Sequence, residues 1–124
     1  MSNILSIPVT LILLTIINSI LITSAQIFWK LAVNKTELLL DFSSIIKLLF
    51  NPFILLGFFL YLLATGITWF LLKKYDISLV IPMGSIAFII SLLGGYLVFH
   101  EHISFTRIVG VIIIILGIFL LLRS

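Results

Sequence analysis

The sequence predicts an all-α, polytopic membrane protein: a single domain, residues 1–124, crossing the bilayer with four helices. Three observations predict it. Of 124 residues, 63% are hydrophobic and only 9% charged, against about 45–50% and about 25% in an ordinary soluble domain. A water-soluble fold of this size has no interior large enough to hide so much apolar surface, and disorder needs the opposite composition. The few charges leave four uncharged runs, Met1–Trp29, Leu48–Leu72, Ile77–Phe99 and Ile108–Leu122. These runs also do not alternate polar with apolar residues as a membrane β-strand must; Val111-Ile112-Ile113-Ile114-Ile115-Leu116 is apolar throughout.

A helix needs roughly 20 apolar residues to cross about 30 Å of hydrocarbon, which places spans near 6–29, 52–72, 78–99 and 104–122. The first run is too long, and lacks the basic flank, for a cleaved signal peptide. Between the first two spans, Glu37, Asp41, Ser44 and Lys47 recur at helical spacing among Leu38, Leu39, Phe42, Ile45, Ile46 and Leu49. That pattern predicts a short helix over 37–50 lying in the membrane interface; a loop is the alternative. Asn51-Pro52 supplies an N-cap and a proline at the first helical position for the second span. Ser78 and Ser104 are the expected caps of the third and fourth. The fourth run reaches full length if Arg107 snorkels toward the headgroups.

Composition narrows the function. With no cysteine there is no disulfide or thiolate chemistry. A formal charge of +3, from seven Lys/Arg and four Asp/Glu, is too thin for a nucleic-acid surface. No nucleophile–base pair, phosphate loop or paired carboxylates occur, so neither catalytic residues nor a cofactor is expected. His100-Glu101-His102 has the wrong spacing for a helical metal site; it reads as a polar anchor, with Glu101 capping the fourth helix or pairing near its start, with Arg107. Four spans put Lys73, Lys74 and Arg123 on one side and Lys30, Lys35, Lys47 and Arg107 on the other. That near balance gives the positive-inside rule little to act on. Insertion in both orientations, or pairing with a differently biased partner, is the expectation.

Polar groups inside the spans mark the candidate site. Thr15, Ser19, Thr23, Gln26 and Lys30 follow one another at steps of four, four, three and four, a single stripe on the first helix. Hydrogen-bonded helix packing would account for the Thr and Ser; Gln26 and Lys30 point to a polar cavity. The second span adds Tyr61 and Thr65. The third contains Ile81-Pro82-Met83-Gly84-Ser85, where proline removes a backbone donor and frees the Ser78 carbonyl. Irregular backbone at that depth suits a cavity wall. Gly84, Ala87, Ser91, Gly94 and Gly95 form a small-residue stripe, with Gly94-Gly95 a place to bend. Gly110 and Gly117 share one face of the fourth helix and read as a packing seam. No acid lies inside a span, so the cavity edge is basic and favours an anion.

Ala25-Gln26-(x3)-Lys30, Ile81-Pro82-Met83-Gly84-Ser85, Phe99-His100-Glu101 and Gly110…Gly117, in that order on four short spans, resemble the drug/metabolite transporter superfamily over nearly the whole chain. Among its four-helix members the sequence looks most like the flippase subunits for aminoarabinose-phosphoundecaprenol, which belong with the EamA-like and small multidrug resistance proteins. The small multidrug exporters carry a glutamate eight residues before the lysine that matches Lys30. Here that position is Ile22, and Met83 stands where they have a tryptophan, so proton-coupled drug export does not carry over. The resemblance implies a dimer with an inverted-repeat-like arrangement, joined along Gly110 and Gly117 to a copy or a related four-helix subunit.

The expectation is a transporter subunit in the cytoplasmic membrane that flips or exports an amphipathic anion, such as a lipid-linked phosphosugar. Its partners would be membrane lipid and that substrate. Lys30, Gln26, Thr23, Ser19, Tyr61, Thr65, Pro82, Met83 and Ser85 are the candidate substrate contacts. The rivals are an exporter of small cations or metabolites and a non-transporting accessory subunit.

Overall fold

The computed structural model describes residues 9–35 and 41–123. Every regular element in them is a helix. Four spans are long and apolar enough to cross a membrane, the make-up of a multi-pass membrane protein.

Helix α1 runs Val9–Lys35, 27 residues and so roughly 40 Å. It continues past the expected end at residue 29 because Ala32, fully buried, still packs against its neighbours. Lys35 also holds its ammonium 5.3 Å over the Phe53 ring. The first residues of the expected span, 6–8, lie outside the described ones. Helix α2, Phe42–Leu49, starts at Asp41, which accepts from the Ser44 N–H at 2.8 Å. The Ser44 hydrogen bonds hold the Asp41 carboxyl below the usual carboxylate range. Phe42, Ile45, Ile46 and Leu49 are exposed, as on a helix lying in the interface. Residues 37–40 of the expected segment are outside the described ones.

Helix α3 spans Pro52–Lys74. Asn51 caps it, accepting from the Phe53 N–H at 2.9 Å, with Pro52 in the first turn as expected. The third span is two helices, α4 over Ile77–Met83 and α5 over Ile86–Phe99. Pro82 cannot donate, and the chain tightens after it. The Gly84 and Ser85 N–H groups bond to the Ile81 and Pro82 carbonyls, three residues back rather than four, at 3.1 and 3.0 Å. Two expectations need correction. The cap of this span is Asp76, whose carbonyl accepts from Leu79 and Val80 at 3.0 Å each, and Ser78 lies inside the first turn. Gly94-Gly95 stays within α5, so the irregularity sits at Gly84–Ser85 alone. Helix α6 is Phe105–Arg123, with Ser104 Oγ accepting from the Arg107 N–H at 3.2 Å.

Helix α1 is the hub. Its main partner is α3, α5 lies along it, and α6 touches α4 and α5 only sparsely. The α1–α3 contact includes close approach at small residues, with Gly57 against the Ala25 backbone, and the hydrogen bond from Asn18 to Thr68. Thr15, Ser19, Thr23 and Ala32 are also buried on α1, and Ala64 on α3. Close backbone approach of this kind replaces the missing hydrophobic drive between helices in lipid. Ser19 is buried, 1% exposed, and is not among the residues that line the cavity described below. At the far end Leu11, Leu71 and Val80 form a buried cluster. Trp29 marks the other end. It donates to the Ile54 carbonyl at 3.1 Å and lies over Gly57, where an added Cβ would fall 2.2 Å from Trp29 Nε1.

A candidate anion site where α1, α5 and α6 converge

Three chain segments converge on Lys30. Val9 to Lys30 spans roughly 32 Å of helix, which places the ammonium at a membrane face rather than mid-bilayer. Helix α5 ends on its same side because His100 adopts the left-handed conformation, φ 53°, uncommon outside glycine but less so for His. The Glu101 N–H then donates to the Gly95 carbonyl at 3.0 Å. This reversal lays the Glu101 carboxylate against Gly95, where it forms an ion pair with the Lys30 ammonium. The Lys30 Nζ also lies 4.6 Å over the Phe99 ring.

The spacing predicts Glu101 as a cap of the fourth helix or as a partner near its start, with Arg107, six residues on. The structure pairs it with Lys30, 71 residues earlier, and Arg107 donates to the His102 carbonyl at 3.4 Å. Glu101 is therefore part of the site rather than a distant anchor, and the cavity edge is not free of acid. The Lys30 hydrogen bond and charge hold the Glu101 carboxyl below the usual carboxylate range, with Arg107 a smaller cause in the same direction. His100 contributes backbone geometry. Among the described residues no group of three His, Cys, Asp or Glu gathers to hold a metal.

A cavity of about 140 Å³ opens beside the pair, lined by Thr23, Gln26, Lys30, Ser91, Gly95 and Glu101, with Ile27 and Phe99 as apolar walls. Thr23 Oγ is buried there without a hydrogen-bond partner, an arrangement that costs free energy unless something supplies the bond. Thr23, Gln26 and Lys30 thus come together. Ser91 and Gly95 join them unforeseen; the signal was their four-residue step toward Phe99, which puts all three on one face of α5.

The other candidates lie elsewhere. The Tyr61 ring stacks on Trp29 at 5.6 Å, and Thr65 Oγ donates to the Tyr61 carbonyl at 2.9 Å, so both serve α3 and its contact with α1. Pro82, fully buried Met83 and Ser85 sit at the break between α4 and α5. The 14 residues of α5 separate them from Glu101, roughly 21 Å of helix. Their neighbours Val80, Ile81 and Gly84, rather than these three, line another space of about 150 Å³, mainly apolar, with Thr15, Asn18 and Thr68 in its wall. There the Asn18 amide donates to Thr68 Oγ at 2.9 Å. Gly110 and Gly117 are exposed, and a Cβ at either would meet nothing within 4 Å.

No protein-family description, curated protein or solved structure matches the chain. The membrane-spanning character rests on the four helices, and function rests on the chemistry of the site.

Proposed function

We propose that the chain is one subunit of a dimeric transporter of the cytoplasmic membrane that moves an amphipathic anion, of the lipid-linked phosphosugar type, from one leaflet to the other. One observation carries the reading: two fixed cations, Lys30 and Arg107, share a single acid, Glu101. The mouth keeps a net positive charge even with the ion pair closed. An incoming phosphate meets Lys30 and Arg107 with Gln26, Thr23 and Ser91 as hydrogen-bonding groups, and charge-assisted bonds to phosphate are among the stronger ones. The helix faces around the site are apolar and leave a lipid tail in the bilayer.

The cation-exporter reading has Glu101 in its favour, since a carboxylate lines the cavity. It requires that acid to serve a cation while facing Lys30 and Arg107, which the excess of positive charge opposes. Dimerisation along α6 in an inverted arrangement belongs to the proposal: α6 buries only Ile118, and a single four-helix unit lacks the second half that alternating access employs. The break at Pro82–Ser85 is the natural pivot.

The test is flipping of a fluorescent long-chain phosphate in phosphatidylcholine liposomes, read by dithionite quenching. Lys30→Met is expected to lower the rate at least about tenfold with folding intact, and Lys30→Arg to retain part of it. Tight binding of quaternary ammonium compounds, with none of the long-chain phosphate, would overturn the assignment in favour of cation export. Inertness toward both would leave the accessory-subunit reading.

A further inference from the structure

A second, larger opening adjoins the Lys30 cavity. It is a groove of about 360 Å³ between α5 and α6, open on the surface of the single chain, with Arg107 and Glu101 at one end and Phe88, Leu92, Gly110, Val111 and Ile114 along its walls; Gly110 sets it beside the proposed dimer seam. It exists because α6 packs so sparsely on α5. Ser91 and Glu101 line both the groove and the inner cavity, so the Glu101 side chain, held on Lys30, stands between the two spaces. The groove is mostly apolar with a cation at its mouth. The cavity is the smaller of the two and its lining is also mainly apolar, with the polar side chains of Thr23, Gln26, Lys30, Ser91 and Glu101 set beside Ile27 and Phe99.

We infer that the α5–α6 groove is a lateral portal for a long-chain phosphate: the tail lies in the groove, Arg107 receives the phosphate, and Glu101 is the gate the phosphate displaces to reach Lys30. This rests on the transporter reading and names the route to its site. Glu101 acts as a built-in competitor, a carboxylate occupying the ammonium that the phosphate needs. Once displaced, it has Arg107 as an alternative partner, so no charge is left unpaired during the exchange. Charge complementarity selects the occupant. The groove walls carry no acid other than Glu101, and a tail alone would gain nothing from Arg107 at the mouth. Gly95 is the positioning residue that lets the gate close. A Cβ there would fall 2.6 Å from Glu101 Oε2, so Gly95→Ala pushes the carboxylate off its seat while leaving the acid in the chain.

Binding of dodecyl phosphate to the full chain in phosphatidylcholine nanodiscs tests this, with inorganic phosphate and dodecyl maltoside as the headgroup-only and neutral-amphiphile probes. Glu101→Gln and Gly95→Ala are each expected to bind dodecyl phosphate about fivefold tighter, the scale of removing one exposed ion pair. Arg107→Gln is expected to bind it about fivefold more weakly. Either of the first two suffices if the other does not fold. Unchanged or weaker binding in the folded gate variants, unchanged binding in Arg107→Gln, or equal affinity for inorganic phosphate or dodecyl maltoside overturns the portal. Transport separates this from the parent reading. If binding follows the expected pattern but no lipid crosses, the transporter reading fails and the groove stands as a lipid site. If lipid crosses at wild-type rate in all three variants, the portal fails and the transporter reading stands.

Discussion

Trp29 fixes the α1–α3 crossing by filling the space that Gly57 leaves open. Its indole donates to the Ile54 carbonyl and its ring meets Phe58 and Tyr61 at 5.2 and 5.6 Å. Gly57→Ala puts a methyl against the indole and 3.0 Å from the Ala25 carbonyl, which is backbone and cannot step aside. The expected loss is about 2–3 kcal/mol, from overpacking together with the displaced hydrogen bond, read as lower resistance to unfolding in mixed detergent micelles. Gly66→Ala, with nothing within 4 Å of the added carbon, is the control and loses nothing. Glu101 carries a pH dependence. Its carboxyl lies lower in the folded chain than in the unfolded one. The pair's contribution is therefore complete at neutral pH and fades as the pH falls through the folded value. Lys30 is the main cause, so Lys30→Met should raise the Glu101 carbon-13 carboxyl midpoint. An unmoved midpoint would mean the pair does not form in the bilayer. At this scale the sequence showed the caps Asn51 and Ser104, because a cap acts on the next three residues. It did not show Glu101 on Lys30, because sequence spacing favours the near cation and only the left-handed turn at His100 brings the distant one within reach.

At the scale of elements, the apolar runs located all four spans, since the bilayer fixes their length and every backbone group is satisfied within the helix. The break at Gly84–Ser85 was foreshadowed by Pro82, but its placement depended on how the freed N–H groups re-bonded. Which stripe faced a cavity was harder to read. Thr15, Ser19 and Thr23 share one face with Gln26 and Lys30, yet only Thr23, Gln26 and Lys30 line the cavity; Thr15 lines the space beside Thr68 and Gly84, and Ser19 is buried. Of the four spans, the one formed by α6 is the least covered, with Ile118 its one buried residue. Under the proposed dimer, Gly110 and Gly117 lie in the subunit contact. Replacing both with Leu then shifts detergent-solubilised protein from dimer toward monomer, as measured by light scattering or crosslinking. Within a single chain a Cβ at either position meets nothing within 4 Å, and helical content measured by circular dichroism separates loss of dimer from misfolding; an unchanged dimer would place the seam elsewhere.

For the whole molecule, the composition that excluded a soluble fold was the most legible feature, and the least legible was orientation. Three basic residues at one membrane face oppose four at the other. With so small a bias, reporter fusions at the C-terminus are expected to register on both sides, or to switch sides when one or two lysines are added. A single orientation that ignores added charge would exclude an antiparallel pair of identical chains and leave only a parallel or single-orientation assembly. The tertiary structure is sparse for a chain of this length: the α1–α3 contact is small-residue packing, α5 leans on α1, and α6 hangs at the edge. A chain built this way keeps apolar side chains exposed along all four spans.

The tie between Lys30 and Glu101 also has a consequence for how the chain is born. At about 5–20 residues per second of synthesis, the 71 residues that separate the partners take roughly 4–14 s to appear. For that interval α1 exists without its partner acid, and its lysine has only water and headgroups to solvate it. The pair can close only after α2 to α5 have been made, so the contact at the mouth of the site cannot form early in synthesis and cannot guide the insertion of the first span.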